Sequence, residues 1–362
     1  MSRPGQGILI MAGGTGGHIF PGLAVAEVLR QQNIKVRWLG AEGGMETRTV
    51  PAAGIELDVV AITGLRGKGL MRWVRMPFML LRAVWHARRL LEANRPGCAV
   101  SFGGYAAAPG GIAAWTKGIP VVVHEQNRIP GLTNRLLVRF ARKVCQGFPG
   151  TFPPAQSAID SGNPVRHEVA AIEEPRTRMA GRTGPVRVLI TGGSQGAQVL
   201  NKVVPGALKL LSPATVMEIR HQAGAKRVDE AVESYAAADV SADIQPFISD
   251  MAEAYAWADL VICRSGALTV AEVAAAGVAS VLVPFAYAVD DHQTRNAEYL
   301  ADAGAAVILA QSSLDPQILA AALEPLLSDR DKLLSMAIEA RKMALPDAAE
   351  KVVEACQEWV SP

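Results

Sequence analysis

Short runs of β-branched and apolar residues alternate along the whole chain with longer segments rich in Ala and Leu, a rhythm that predicts parallel sheets joined by crossover helices. In the first half the runs 8–11, 36–39, 98–102, 121–124 and 144–146 read as buried strands. In the second half 186–191, 216–221, 244–248, 260–263, 280–284 and 306–309 do the same. Both halves open on one device: Ile-Leu-Ile-Met-Ala-Gly-Gly-Thr-Gly-Gly at 8–17 and Val-Leu-Ile-Thr-Gly-Gly-Ser-Gln-Gly at 188–196. Each is a strand, a glycine turn and a helix start. The echo predicts an α/β protein of two tandem Rossmann-like units facing across a cleft. Pro and Gly punctuate residues 161–166 and place the boundary there. The expected domains are 1–163 and 164–345, followed by a closing helix over 346–362 whose packing partner the periodicity does not identify.

Length and composition agree with that picture. A chain of 362 residues, 50% hydrophobic and 19% charged, is too long for one core and too apolar for disorder. Its four cysteines are scattered and form no C-x-x-C pair, which argues against a disulfide framework or a zinc site and for a reducing compartment. The first residues lack the basic and apolar regions of a secretory signal. Residues 96–116 and 273–289 carry no charge, but glycines and prolines break both into strand, loop and helix, so a soluble or peripheral protein is expected.

Charge adds what composition conceals. The net charge is only +2, yet residues 1–165 hold 19 Lys/Arg against 8 Asp/Glu, a net +11, and the remainder 17 against 26, a net −9. Such a split suggests that the first half meets something anionic. Residues 59–91 contain no acid and seven bases (Arg66, Lys68, Arg72, Arg75, Arg82, Arg88 and Arg89), interleaved with Trp73, Phe78, Leu81, Trp85 and other apolar residues. An interfacial helix on an anionic membrane needs that mixture. An ordinary helix with its apolar side in the core is the alternative.

Several short motifs could carry chemistry. Gly13-Gly14-Thr15-Gly16-Gly17-His18 joins a strand to a helix, where backbone N–H groups and the helix dipole favour a phosphate. It is neither G-x-G-x-x-G nor a P-loop, so dinucleotide and ATP readings weaken; a tight turn without ligand is the plain alternative. His18 at the mouth of this loop has the chemistry of a general base near neutral pH. Gly103-Gly104-Tyr105 after a later strand is a second possible anion cradle, or merely close helix–sheet packing. His124-Glu125-Gln126-Asn127 ends a strand where open α/β sheets place ligands, unless it is a solvated loop. In the second half Gly192–Gly196 offers N–H groups and the Ser194 hydroxyl to a phosphate. In the run 263–272, Glu272 is a carboxylate that could accept a ribose diol, or a plain surface acid. Asp290 and Asp291 precede Gln293 and could cap a helix. The only Asp-x-Asp triplet, Asp329-Arg330-Asp331, also fits capping, so no tightly bound metal is expected. No basic–aromatic surface suited to nucleic acid is present.

Together these segments resemble the MurG family, glycosyltransferases of the GT-B fold. The likeness rests on Met-Ala-Gly-Gly-Thr-Gly-Gly-His at 11–18, Phe-Gly-Gly-Tyr at 102–105, His-Glu-Gln-Asn at 124–127, Gly-Asn-Pro-Val-Arg at 162–166, Gly-Gly-Ser-Gln-Gly at 192–196, Cys-Arg-Ser-Gly-Ala-Leu-Thr-Val at 263–270 and the Asp-His-Gln run ending at Gln293. The resemblance implies inverting transfer of N-acetylglucosamine from UDP-N-acetylglucosamine to the 4-hydroxyl of undecaprenyl-diphosphate-linked muramyl pentapeptide, at the cytoplasmic face of a bacterial inner membrane. It implies that Ile248 meets uracil through its backbone with Arg166 nearby, that Glu272 takes the ribose, and that Ser194 and its loop take the phosphates. Ala267, Leu268, Thr269, Asn127 and Gln293 would contact the N-acetylglucosamine, Val270 and Ala271 would also bind the substrate, and Thr15, Gly16 and Gly17 would complete the donor site. Gly14, Gly103, Gly104 and Tyr105 would hold the acceptor's diphosphate, with His18, or alternatively Glu125, as the base and Arg264 steadying the departing UDP. Ser249 and Ala271 depart from the family's usual acid and Ser. Rival functions are a UDP-N-acetylglucosamine 2-epimerase, a transferase to a diacylglycerol-type lipid, and a non-catalytic UDP-sugar-binding module.

Overall fold

The computed structural model describes residues 7–62, 70–193, 196–286 and 291–360, with backbone alone for 70–76. The chain forms two compact units, 1–165 joined by 346–362, and 166–345. In the first, β1 (Ile8–Ala12), β2 (Val36–Ala41), β3 (Glu56–Val60), β4 (Cys98–Gly103), β5 (Val121–Glu125), β6 (Lys143–Gln146) and β7 (Ile159–Asp160) form one sheet in the order β3-β2-β1-β4-β5-β6-β7. In the second, β8 (Val186–Thr191), β9 (Met217–Gln222), β10 (Asp243–Gln245), β11 (Leu260–Cys263), β12 (Ala279–Leu282) and β13 (Ala306–Ile308) run β10-β9-β8-β11-β12-β13. Every strand pair in both sheets is parallel. The two orders are the same doubly wound topology, so the repeated opening motif marks a repeated fold.

That topology locates the sites. In each sheet the winding reverses beside the first strand, between β1 and β4 and between β8 and β11, and crossover helices leave in opposite directions there. The glycine turns of both halves follow β1, β4 and β8, and Arg264 to Gly266 follow β11. β1 is buried throughout, and its alternate residues Ile8, Ile10 and Ala12 share a core with Ile19, Val25, Leu29 and Trp38. The closing helix Ala348–Glu354 belongs to this first unit, where Val352, Val353 and Cys356 enter that same core.

Three differences from the sequence reading have local causes. β10 ends at Gln245 rather than running to Ile248, because Pro246 has no N–H for the ladder; Ile248 therefore lies in a loop. β3 escapes the apolar pattern because it is an edge strand with Glu56 and Asp58, both paired to Arg37 of β2. β7 is a two-residue edge strand with both residues exposed, too short and too polar to leave a pattern.

Two buried histidines tie these sheets to their surroundings. His124 on β5 bonds through Nε2 to the Gly162 carbonyl at 2.9 Å, and Gln126 Nε2 lies 3.1 Å from its Nδ1. His221 on β9 lies 3.0 Å from the Tyr235 hydroxyl and 3.1 Å from Asn201 Oδ1. Burial pushes each imidazole down to about 4, so both are neutral around pH 7. An unfolded chain protonates them near pH 6.5, whereas the folded chain resists until about 4. Their stabilising contribution is therefore complete above pH 6.5 and is lost as the pH falls, by about 3 kcal/mol per histidine over the full window. Urea midpoints should fall steadily from pH 6.5 to 5, and the slope should flatten in a His124→Gln/His221→Gln double variant; parallel profiles would refute this assignment.

Candidate functional site

The first unit's site begins at Gly13, immediately after β1. Thr15 is the N-cap of helix Gly16–Gln31, in extended conformation and with no side-chain cap bond. The first N–H groups of that helix have no intrahelical acceptors, and they stand at the positive end of its dipole. Thr15 Oγ1 lies 3.2 Å from Nδ1 of the half-buried His18, one helical turn on. The ring is thereby held one turn into the helix, beside the glycine loop. The second loop rests on the first. A Cβ on Gly104 would overlap the Gly13 carbonyl oxygen, and one on Gly103 would lie 3.2 Å from the His18 ring. Tyr105 beside them is 37% exposed, so its ring is available to a ligand.

The His-Glu-Gln-Asn run is mostly interior. Only 2% of Glu125 is exposed, and its carboxylate accepts from the Asn127 N–H at 2.9 Å, the Asn127 side-chain amide at 3.2 Å, the Gly131 N–H at 3.0 Å and Asn134 Nδ2 at 2.9 Å. Four donors on one carboxylate make Glu125 a loop scaffold, which argues against its alternative role as base. Asn134 continues the network: its Oδ1 accepts from Ser101 Oγ, which in turn accepts from the Gly103 N–H. Glu125 thus supports the second glycine loop from below. Asn127 is held at the loop's start by Glu125 and by the Thr151 hydroxyl.

In the second unit Gly266 caps helix Ala267–Ala276, whose first turn of Ala267, Leu268 and Thr269 presents its N–H groups beyond β11. Glu272, in the second turn, accepts from Arg166 Nε at 3.1 Å and Nη2 at 2.7 Å, and its other oxygen accepts from the Tyr255 hydroxyl at 3.3 Å. Burial disfavours the Arg166 charge, but Glu272 outweighs it and raises the guanidinium. The Tyr255 hydroxyl is pushed well up by burial and by Glu272, and stays a donor. The pair that the sequence reading set at uracil and ribose is thus one assembly. Val270 is fully buried, and Ala271 on the same helix is half-buried. Ile248 donates its N–H to Gln222 Oε1 at 3.3 Å, while Gln222 Nε2 donates to the Gly193 carbonyl at 3.0 Å, so one side chain joins the β8 loop to the loop after β10. Gln293 Oε1 accepts from the Phe285 N–H at 2.9 Å. Arg264 Nη1 donates to the carbonyls of Val283 and Pro284, and burial pushes the guanidinium down to about 10. Ser194 and Asp290 lie outside the described residues. Asp329 caps helix Arg330–Lys342 through the Lys332 N–H, as the triplet's spacing suggested.

The basic, apolar segment divides between β3 and the 25-residue helix Leu70–Asn94; Arg66 and Lys68 are outside the described residues, as are the Arg72 and Arg75 side chains. Ala83, Ala87 and Leu91 are buried at helical spacing, and the opposite face exposes Phe78 (73%), Leu81 (67%) and Trp85 (54%) beside Arg82 and Arg89. Large apolar side chains on the wet side are what the core-helix alternative does not explain. Trp115 of helix Ala107–Thr116 and Leu132 of helix Leu132–Leu137 are also exposed. Among the described residues no helix is long and apolar enough to cross a membrane.

Comparison with known proteins follows this geometry. The family model described as glycosyltransferase family 28 N-terminal domain matches residues 8–146, and the corresponding C-terminal domain matches 187–352. A protein of Xanthomonas axonopodis pv. citri named UDP-N-acetylglucosamine--N-acetylmuramyl-(pentapeptide) pyrophosphoryl-undecaprenol N-acetylglucosamine transferase is 57% identical over 96% of this chain and 80% of its own. The crystal structure of Acinetobacter baumannii MurG superposes with a TM-score of 0.85 at 43% identity, covering 98% of this chain and 99% of that one. A UDP-GlcNAc 2-epimerase of Neisseria meningitidis reaches a TM-score of 0.66 at 12% identity, over 97% and 99% of the two chains, and shares the fold alone. Two GT-B-like parallel-sheet units, both family 28 domains in order, and high identity over nearly the full length place the chain in the MurG family of glycosyltransferases.

Proposed function

We propose that this protein transfers N-acetylglucosamine from UDP-N-acetylglucosamine to the 4-hydroxyl of the muramyl residue of undecaprenyl-diphosphate-linked muramyl pentapeptide, forming a β-1,4 link. The observation that carries the proposal is 57% identity over 96% of the chain to a relative named for that transfer. The donor is assigned to the second unit. Glu272, steered by Arg166 and Tyr255, accepts a ribose hydroxyl; three of its roughly four lone-pair positions are used, which leaves room for one more donor without breaking the pair. Ile248 reads uracil from its loop, and the first turn of helix Ala267–Ala276 and the β8 loop meet the diphosphate. The acceptor's diphosphate is assigned to the glycine loops that contain Gly14 and Gly103 to Tyr105, and Gln293 of the second unit is assigned to the N-acetylglucosamine.

His18 takes the proton of the 4-hydroxyl as that oxygen attacks the anomeric carbon. The carbon–oxygen bond to UDP breaks on the opposite face, so the configuration inverts. Negative charge gathers on departing UDP, where preorganised N–H groups stabilise it without reorganisation. Arg264, whose Nη1 donates to the Val283 and Pro284 carbonyls, is assigned to steady this charge. This reading requires no resident metal.

The exposed Phe78, Leu81 and Trp85, with Arg82 and Arg89, support peripheral binding at an anionic membrane on the cytoplasmic side, where the lipid-linked acceptor is held. Each base near such a surface contributes about 1 kcal/mol.

Radiolabelled UDP-N-acetylglucosamine with a short-chain acceptor analogue should yield labelled disaccharide lipid. Conversion to UDP-N-acetylmannosamine without acceptor would instead establish the epimerase. His18→Ala should lower turnover by at least two orders of magnitude and leave donor affinity within about twofold; turnover like the unmodified protein's would remove His18 as base. In co-sedimentation with phosphatidylglycerol vesicles, Leu81→Ser/Arg82→Glu should weaken binding by about tenfold or more. Undiminished binding would place the membrane contact elsewhere.

A further inference from the structure

Glu46 is a charged side chain with no exposed surface, and the reaction as described does not use it. It opens helix Glu46–Ala52, and its carboxylate turns inward to accept from two backbone amides, Ala41 N–H at 2.8 Å and Gly14 N–H at 3.0 Å. The first ends β2 and the second lies in the glycine loop after β1. Three glycines make room for it: a Cβ on Gly13, Gly40 or Gly44 would collide with the Glu46 side chain. A buried carboxylate is tolerated only where donors satisfy it, and this one has a pocket shaped around it.

We propose that Glu46 is a positioning residue that sets the conformation of the first glycine loop and thereby selects which amides face the acceptor's diphosphate. The Gly13–Gly14 segment is gripped on two sides. Trp38 Nε1 donates to the Ala12 carbonyl at 2.8 Å, and Glu46 takes the Gly14 N–H two residues later. Between them Gly14 holds φ at +92°, a conformation that has no preference of its own to keep it there. With its N–H bonded to Glu46, Gly14 is withdrawn from the ligand, and the amides at the helix start remain to face it. The second loop is set by the same grip, because Gly104 sits against the Gly13 carbonyl that the clamp fixes. Glu46 touches no reacting atom and acts through the loop.

The inference rests on the transferase reading only in its kinetic arm. Glu46→Gln keeps the size but turns one acceptor oxygen into a donor, so one amide loses its partner. In the unmodified full-length protein, Gly14 amide exchange should be slowed although the loop is exposed, and in the variant it should speed up at least tenfold. With UDP saturating the other unit, inorganic diphosphate should bind the variant at least tenfold more weakly, while UDP affinity stays within twofold. The acceptor analogue's KM should rise at least tenfold, with kcat lowered less than threefold. An unprotected Gly14 amide in the unmodified protein overturns the proposal without any variant, so failure of the variant to fold does not shelter it. Equal losses in UDP binding, diphosphate binding and kcat would also overturn it, since they mark a merely structural role. If the unmodified protein transfers no sugar, the previous reading fails, and the exchange and diphosphate measurements still decide the part Glu46 plays.

Discussion

The loops after β1 and β4 can touch because neither has a side chain at the point of contact. Gly104 lies where any Cβ would overlap the Gly13 carbonyl oxygen, and Gly103 where a Cβ would press on the His18 ring. Two backbone turns at the switch point of one sheet therefore form a single floor, with the candidate base at its edge. The second unit meets the same constraint in its own way. A Cβ on Gly196 would overlap the Ala223 carbonyl, so the β8 loop packs directly on the chain leaving β9, and Asn201 Nδ2 holds that Ala223 carbonyl at 3.1 Å. In both units buried polar side chains hold the backbone, and the backbone is what remains to meet the ligand.

This division explains why the two halves differ so much in charge. Binding a diphosphate through N–H groups at a helix start needs no surplus of bases nearby, and the second half of the chain, 166–362, has a net charge of −9 with a candidate donor site of helix-start amides and one ion pair. The +11 of residues 1–165 therefore asks for a further reason. Part of it sits on helix Leu70–Asn94, where Arg82 and Arg89 flank apolar side chains that point to solvent. Arg88 and Arg89 on the same helix are engaged in different ways. Arg88 donates to the Thr116 hydroxyl at 2.8 Å, and the Arg89 guanidinium lies 3.7 Å over the Trp85 ring. A cation stacked on an exposed indole still presents its charge, and the pair forms one amphipathic surface.

The sequence made legible whatever depends on neighbours along the chain. β-branched runs located the central strands, the repeated glycine opening announced the doubled topology, and glycine loops at strand ends marked the ligand side. What stayed hidden depends on residues distant in sequence. Glu46 is a lone acid in an unremarkable Gly-Met-Glu stretch, and only the approach of Gly14 from 32 residues away gives it meaning. Tyr255 and Gln222 join the candidate donor site by bonding Glu272 and Ile248, 17 and 26 residues away, respectively. Trp115 and Leu132 could not be read as surface because apolar residues are ordinarily core, and only the packing of their helices shows which side is left over.

The run His124-Glu125-Gln126-Asn127 shows why polarity at a strand end identifies a region more safely than a role. Four polar residues there could all face a ligand, yet His124, Glu125 and Gln126 are buried and only Asn127 is partly open. Most of their polarity is used at home: His124 grips Gly162 near the unit's end, Glu125 gathers the turn up to Gly131, and Gln126 bonds back to His124 through Nε2, while its Oε1 is buried without a partner. Such a network is costly to leave half-made, because each unpaired member would be stranded away from water. His124 is neutral by burial and already engaged at Nε2, whereas His18 stands half-buried at the rim with its Nδ1 beside a hydroxyl. Of the two histidines near the cradle, His124 serves the loop from within, and His18, the less buried, is the candidate base.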